Sequence, residues 1–365
     1  TGYGQGVTVG DINADGFDDL YVANVGGNRL LVNNGDGTYS DATAASGTAG
    51  DDWSVSCVLA DLDGDSLPDL YVVNYLAGDD VFRRGCPPGA IPGRPCGPGN
   101  FAAAQDRLYL NTGDGRFVDV TATSGVEVAE GKGLGVIAAD LDGSGRVSLF
   151  VANDTRPNFL FVNTSQPGAV SFAERGLVSG LAFNANGESE SCMGIALGDV
   201  DGDGRLDLFV TNYTNQSNTL YSPIGHNQFT DRTRRSGLRD GGYSLMGWGT
   251  EFLDADLDGR LDLLVTNGHL RGYVNKGGSL EMPAQFYRNI GDGRLVEAPA
   301  AQLGPYFSGR HVGRGLARID WNRDGRDDAL VTHLDAPLAL LTNRTATTAH
   351  FLALRLVGTR SNRDA

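Results

Sequence analysis

The amino-acid sequence predicts an all-β fold, a β-propeller of six countable four-stranded blades with a seventh allowed for, followed by the start of a C-terminal β module. Two observations carry this. An acidic loop running straight into a short apolar strand recurs six times at one register, and a pair of small residues two apart stands at a fixed distance upstream of every copy. One unit repeating at spacings of 50, 79, 59, 55 and 66 residues, measured between the first Asp of successive loops, is the mark of radially repeated β architecture.

The clearest copy is DVDGDGRLDLFVTN at 199–212. Asp199, Asp201, Asp203 and Asp207 can turn their oxygens to one centre, while Gly202 and Gly204 supply backbone angles that residues with a Cβ resist. An oxygen-only set of this density suits a hard cation, and Ca²⁺ better than Mg²⁺; the Arg205 carbonyl is a further ligand by analogy with the EF-hand. Leu208 to Thr211 read as a short strand, where an EF-hand would continue into a helix.

The same offsets give Asp11, Asn13, Asp15 and Asp19 in the first loop, and Asp61, Asp63, Asp65 and Asp69 in the second. The third keeps Asp140 and Asp142 but has Ser144 and Ser148, so it is expected to bind weakly or stay empty. The fifth uses Asp254, Asp256, Asp258 and Asp262, and the sixth Asp320, Asn322, Asp324 and Asp328. Thirteen residues after each first Asp stands Asn24, Asn74, Asn153, Asn212 or Asn267, and in the sixth copy His333.

Seven and five residues before each loop stand small residues, such as Gly4 and Gly6, Ser54 and Ser56, or Gly133 and Gly135. Placed two apart, they are expected on one crowded face of an innermost strand. Each LxVxN segment is then the next strand outward, and two outer strands with Gly-Asp-Gly turn chemistry complete the unit, most clearly at 29–43 and 107–121. The propeller is assigned to 1–345. The long second spacing holds an insertion at 75–105 in which no strand pair is expected. Its CPPGAIPGRPC loop is most simply ordered by a Cys86–Cys96 bridge, two free surface thiols being the alternative; Cys57 and Cys192 sit in apolar strand contexts as buried thiols. The last unit lacks its outermost strand, to be closed by residues upstream of Thr1 or by 350–357.

A net charge of −16 excludes nucleic acid as a natural partner, and no run reaches the roughly 20 apolar residues of a membrane span. Of the 45 acidic side chains 20 are loop aspartates, and five or six bound Ca²⁺ would bring the net charge to about −6 to −4. No leader is visible at Thr1. Calcium loops and a bridged cysteine pair together indicate an extracellular or periplasmic compartment.

The repeats resemble the FG-GAP or VCBS type of integrin-α-like propellers. CGPGN followed by DRLYLNTGDGRF, then CMGIALGDVDGDG, GWGTEFLDADLDG, NGHL at 267–270, GRGLA at 313–317 and the terminal LRLVGTRSNRDA resemble more closely the cartilage acidic protein family, with an ASPIC/UnbV-like module beginning within 346–365, near Phe351. The departures are the two serines of the third loop, Pro68 in the second and the missing remainder of the terminal module. The resemblance implies a secreted or surface protein that acts by binding.

Two functions fit such a chain. The first is a secreted, calcium-stabilised propeller that binds a protein or glycan ligand through loops at one end of its channel. The second is an enzyme acting on polysaccharide at the channel mouth. For it, Glu251 is an outlier where the other copies have Thr8, Val58, Ile137, Ala196 and Ala317, so that burial could tune it for acid/base work, a hydrogen-bonded structural acid being the plainer reading. His269 is a base or metal-ligand candidate, or a turn residue. Arg310, His311 and Arg314 form a candidate anion-binding patch. No Ser/His/Asp order or phosphate loop is present, and binding is favoured over catalysis.

Overall fold

The computed structural model describes residues 3–354 apart from 79–80, 82–85, 87–95, 167–168, 271–278, 335, 349 and 353. These fall into two compact units, the first chiefly Thr1–Gly85 and Gly97–Phe183, the second chiefly Asn184–Leu354. Each contains three propeller blades, and the all-β expectation is met.

Blade 1 is an antiparallel sheet of β1 (Tyr3–Gly10), β2 (Asp19–Val25), β3 (Arg29–Asn33) and β4 (Tyr39–Asp41) in sequence order. Blade 2 has β5 (Ser54–Ala60) and β6 (Asp69–Asn74), then, beyond the insertion, β9 (Arg107–Asn111) and β10 (Phe117–Asp119). Inside the insertion β7 (Leu76–Ala77) pairs with β8 (Ala102–Ala103), which corrects the expectation of no strand pair there. The chain leaving β6 and the chain returning to β9 must run side by side, and they zip for two residues. The Lys132 ammonium holds the return by donating to the Pro98 carbonyl at 2.6 Å. Cys86 and Cys96 are disulfide-bonded, Cα to Cα 5.3 Å, and Cys57 and Cys192 are buried thiols outside any disulfide, as expected. The interior of the bridged loop lies outside the described residues.

Blade 3 comprises β11 (Gly133–Ala139), β12 (Ser148–Asn153), β13 (Phe159–Asn163) and β14 (Phe172–Glu174). Blade 4 comprises β15 (Ile195–Gly198), β16 (Asp207–Val210), β17 (Thr219–Gly225) and β18 (Gln228–Asp231). Blade 5 comprises β19 (Gly247–Leu253), β20 (Asp262–Asn267), β21 (Gln285–Asn289) and β22 (Leu295–Glu297). In blade 6 the described strands are three, β23 (Gly313–Ile319), β24 (Asp328–His333) and β25 (Ala339–Leu341), so the outermost strand is missing among the described residues. The segment 346–365, expected as a further module or a closing strand, lies mostly outside them.

Apolar cores lie between neighbouring blades. Tyr21, Leu30 and Ile12 of blade 1 pack with Cys57, Leu70 and Val72 of blade 2, and Phe209 and Leu220 of blade 4 pack with Phe252 and Leu263 of blade 5. A strand with a blade on either side has no face left for polar groups, and β6, β12 and β20 are buried along their whole length.

The paired small residues have a different cause from the one expected. In β1, β5, β11, β19 and β23 the ladder shifts register just after the first of them, as between Gly4 and Gly6, so a β-bulge separates the pair and they do not share one face. Gly6 looks toward the following blade, where an added Cβ would lie 2.5 Å from the Val55 carbonyl oxygen. Gly133 looks toward the preceding one, where its Cβ would lie 2.2 Å from the Val73 side chain. Close approach of a neighbouring blade, by its backbone at Gly6 and by a side chain at Gly133, is what demands smallness.

A second repeated device joins the blades. The Asn ending the third strand donates from Nδ2 to the carbonyl of the residue after the first loop Asp in the preceding blade: Asn111 to Ile12, Asn163 to Leu62 and Asn289 to Val200, each at 2.8 Å, and Asn343 to Ala255 at 2.9 Å. It also donates to a carbonyl of its own blade, for Asn163 that of Val147 at 2.8 Å. In blade 1, Asn33 donates to its own Asp18 carbonyl at 3.1 Å.

Removing the Asn163 amide takes a donor from the Val147 carbonyl and leaves the buried Leu62 carbonyl only the Ser165 hydroxyl at 3.2 Å. Asn163→Ala is therefore expected to lower stability by about 2 kcal/mol and Asn33→Ala by less than about 1 kcal/mol; urea unfolding of the two variants measures the contrast, and equal losses would contradict the inter-blade role.

Candidate metal loops

Every loop joins an inner strand to the second strand of its blade, so all six sit at one end of their blades. The first Asp shapes the turn by accepting backbone amides with both oxygens. Asp11 takes the amides of Asp15 (3.0 Å) and Gly16 (2.8 Å), Asp254 those of Asp258 (3.0 Å) and Gly259 (2.9 Å), and Asp320 those of Asp324 (3.0 Å) and Gly325 (2.8 Å). Asp61 and Asp199 close their loops in the same way. So does Asp140, on Ser144 and Gly145, so the third loop keeps the turn although it has lost two charges.

The turn needs left-handed backbone three and five residues after the first Asp. Gly202 (φ 76°) and Gly204 (φ 81°) provide it freely, whereas Ala14 (57°), Leu257 (62°) and Arg323 (57°) are held there at a cost of about 1 kcal/mol or more each. Mutual repulsion does not splay the aspartates, because backbone amides and arginines take up their oxygens.

The fourth acid of each loop is buried, with Asp19, Asp69, Asp207, Asp262 and Asp328 at most 1% exposed. One oxygen accepts the amide of the residue after the first Asp, as Asp69 does from Leu62 at 2.9 Å and Asp207 from Val200 at 2.8 Å. The other accepts the amide of the third-strand Asn, as from Asn111 at 2.9 Å and Asn289 at 2.8 Å. Ser148 keeps only the second of these bonds, taking the Asn163 amide at 3.1 Å. Burial raises the pKa of Asp69 to about 8 and of Asp207 and Asp262 to about 6, against the lowering effect of those amides and, at Asp207, first of the Ser222 side chain. A cation beside such a carboxylate restores its charged form.

Three loops bring ligand atoms together: Asp61, Asp63 and Asp69; Asp199, Asp201 and Asp203; Asp254, Asp256 and Asp258, with the atoms of each set within 4.8 Å of one another. In the fourth and fifth loops the residue two after the first Asp is shared with an arginine that the sequence pattern did not single out. Arg232 pairs with Asp201, and Arg288 Nε lies 3.0 Å from Asp256 Oδ2. The other oxygen of both Asp201 and Asp256 is buried with no hydrogen-bond partner. A buried, unpaired carboxylate oxygen in a three-acid cluster is the chemistry a hard cation fits. Asn13 and Asp15, and Asn322 and Asp324, instead bond to each other at 3.0 and 2.8 Å. Asp65 and Asp142 accept amides within their own turns.

The remaining candidates other than Glu251 lie at the other end of the blades, while Glu251 stands in the inner strand three residues before the fifth loop. His269 accepts the Leu270 amide at Nδ1 (2.8 Å) and meets Tyr213 edge-on, the position of a turn residue. Arg314 stacks on Trp248, 4.2 Å from the ring centroid, and donates to the carbonyls of Gly268, His269 and Gly313. Arg310 donates to the Glu281 carbonyl at 2.8 Å, and His311 stacks on Tyr306 at 4.4 Å. The two guanidinium groups are thus engaged by backbone carbonyls, and His311 belongs to an aromatic cluster. Glu251 is half-buried in β19, with Arg318 and Asp327 as its charged neighbours, and burial raises its pKa to about 7.

Comparison with known proteins agrees with this geometry. The model of the FG-GAP-like repeat matches residues 11–72, 140–210 and 199–265, together just over half of the chain. Cartilage acidic protein 1 of Mus musculus is 25% identical over 372 residues, covering 84% of this chain and 54% of that protein. The Homo sapiens protein is 26% identical over 215 residues, covering 56% and 30%. The chain thus spans about half or less of the relatives' length. Among solved structures, an Agrocybe aegerita lectin described as recognising non-reducing terminal N-acetylglucosamine aligns over 93% of this chain and 80% of its own at 15% identity, with a TM-score of 0.48.

Glu251 gives a pH test. Its carboxyl holds a proton more tightly in the folded state than the ordinary value of 4.5 allows, so its contribution to stability is fully present below about 4.5 and is lost as pH rises through about 7. Glu251→Gln is expected to be more stable than wild type at pH 8 by about 1–3 kcal/mol, the difference vanishing near pH 4.5. Thermal unfolding across that range at fixed calcium reads it; a pH-independent difference would remove the titration from the account.

Proposed function

This chain belongs to the FG-GAP-like repeat family, related to cartilage acidic protein 1, and we propose that it is an extracellular, calcium-stabilised propeller that binds a protein or carbohydrate ligand at the blade ends opposite its acidic loops. The observation that carries the metal is the pairing of clustered acids with buried, unpartnered oxygens on Asp201 and Asp256. Calcium there has a structural role. It would draw Asp199, Asp201 and Asp203, and likewise Asp254, Asp256 and Asp258, into one shell, fixing the turn whose next residue carries the bond to the following blade. The Cys86–Cys96 disulfide supports an oxidising compartment. No helix among the described residues is long and apolar enough to cross a membrane.

The loops are small, and their donors are consumed within the turns, so macromolecular recognition falls to the opposite end of the blades. At that end the second unit presents Trp248 and Tyr213 beside engaged polar groups, a mixture of aromatic and polar surface suited to protein or sugar. The second reading, an enzyme acting on polysaccharide, rests on Glu251, whose raised pKa suits a general acid near neutral pH.

Calcium is expected to raise the midpoint of thermal unfolding and EDTA to reverse the gain; an unchanged midpoint would refute the structural role. Asp201→Asn should lower the calcium stoichiometry by one by isothermal titration, while Asp142→Asn in the third loop should leave it unchanged. On a glycan and protein-ligand panel, retention that survives Glu251→Gln supports binding, whereas glycan turnover lost with that substitution supports the enzyme.

A further inference from the structure

Blade 6 breaks the repeat where its second strand ends. In the other five blades that position is Asn, whose side-chain amide donates to a carbonyl just ahead of the third strand: Gly27 (3.1 Å), Gln105 (2.8 Å), Pro157 (2.8 Å), Ser217 (2.7 Å) and Pro283 (2.9 Å). His333 makes the same bond with Nδ1, 2.8 Å from the Pro337 carbonyl oxygen. A carbonyl only accepts, so Nδ1 carries the proton and Nε2 keeps its lone pair in the neutral ring. That lone pair meets the Tyr306 hydroxyl at 2.9 Å.

His311 is set up in the mirror sense. Its Nε2 lies 3.2 Å from the Tyr306 carbonyl oxygen, which fixes the proton there and leaves Nδ1 as the lone-pair nitrogen. The ring is parallel to Tyr306, and its centroid lies 5.1 Å from that of His333. Two imidazoles on one tetrahedral ion, with metal–nitrogen bonds of about 2.0–2.1 Å, have centroids roughly 5 Å apart. Carbonyl-anchored histidines are the usual outer support of such ligands. Both rings are half-buried, so an ion can reach them.

We propose that His311 and His333, with the Tyr306 hydroxyl, form a binding site for a first-row transition-metal dication such as Zn²⁺, at the end of blade 6 opposite its acidic loop. The ion takes Nε2 of His333 and Nδ1 of His311, replacing the hydrogen bond from Tyr306, and solvent fills what remains. Imidazole nitrogen selects such ions over Ca²⁺, so the site is chemically separate from the oxygen-only loops.

The test is titration of the tag-free full chain with zinc chloride in excess calcium, by isothermal calorimetry at pH 7.5. Wild type is expected to bind one Zn²⁺ beyond the loops. His333→Asn installs the residue of the other five blades, keeps the donor to Pro337 and removes the ligand nitrogen; His311→Phe keeps the ring on Tyr306. Each is expected to weaken Zn²⁺ at least tenfold while the calcium isotherm stays unchanged. If wild type binds no Zn²⁺ outside the loops, or if His333→Asn binds it as wild type does, the proposal fails. Circular dichroism establishes that the variants are folded, and His333→Asn decides alone if His311→Phe is not.

Discussion

In the first, second, fourth and fifth loops the structure depends on one residue, the one after the first Asp. Its amide is taken by the buried fourth acid of its own loop, and its carbonyl by the third-strand Asn of the following blade, as at Leu62 with Asp69 and Asn163. A single residue thus holds the loop closed and the next blade in place. Because the fourth acid also accepts the amide of the third-strand Asn in its own blade, loop, second strand and third strand form one hydrogen-bonded unit. Blade packing and loop shape cannot be perturbed separately.

This arrangement separates two tasks that the acidic loops combine. The turn is made by the first Asp, the left-handed positions and the fourth acid, and it persists in the third loop with serine at two sites. Charge concentration is an addition to that frame, and Arg232 and Arg288 stand where it is greatest. A cation bound there would therefore tighten a turn whose backbone bonds are already made. The recognition proposed above would use the other end of the blades, where the bulged inner strands of blades 5 and 6 place Trp248 and Arg314.

Much of this was legible in the sequence. The repeat of Asp at fixed offsets located every inner and second strand, and the Pro/Gly-rich loop located the disulfide. The backbone partners of Arg310 and Arg314 were not legible, because only three-dimensional proximity shows that one carbonyl accepts from Arg310 and three from Arg314. The small-residue pairs were visible, yet a bulge, which depends on the partner strand, decides where each one points. The third-strand Asn of YLNTGDG and YRNIGDG read as turn chemistry, and its second bond goes to a blade about 90–100 residues earlier.

By itself the sequence determined the propeller class, the six loops and their acidic character, since these are properties of local spacing and of side-chain chemistry repeated along the chain. Tertiary structure alone decided which oxygens are left unpaired, how Glu251 is buried beside Arg318, and that Tyr306, His311 and His333 meet. Those depend on burial and on contacts between segments far apart in the chain, which no local pattern encodes.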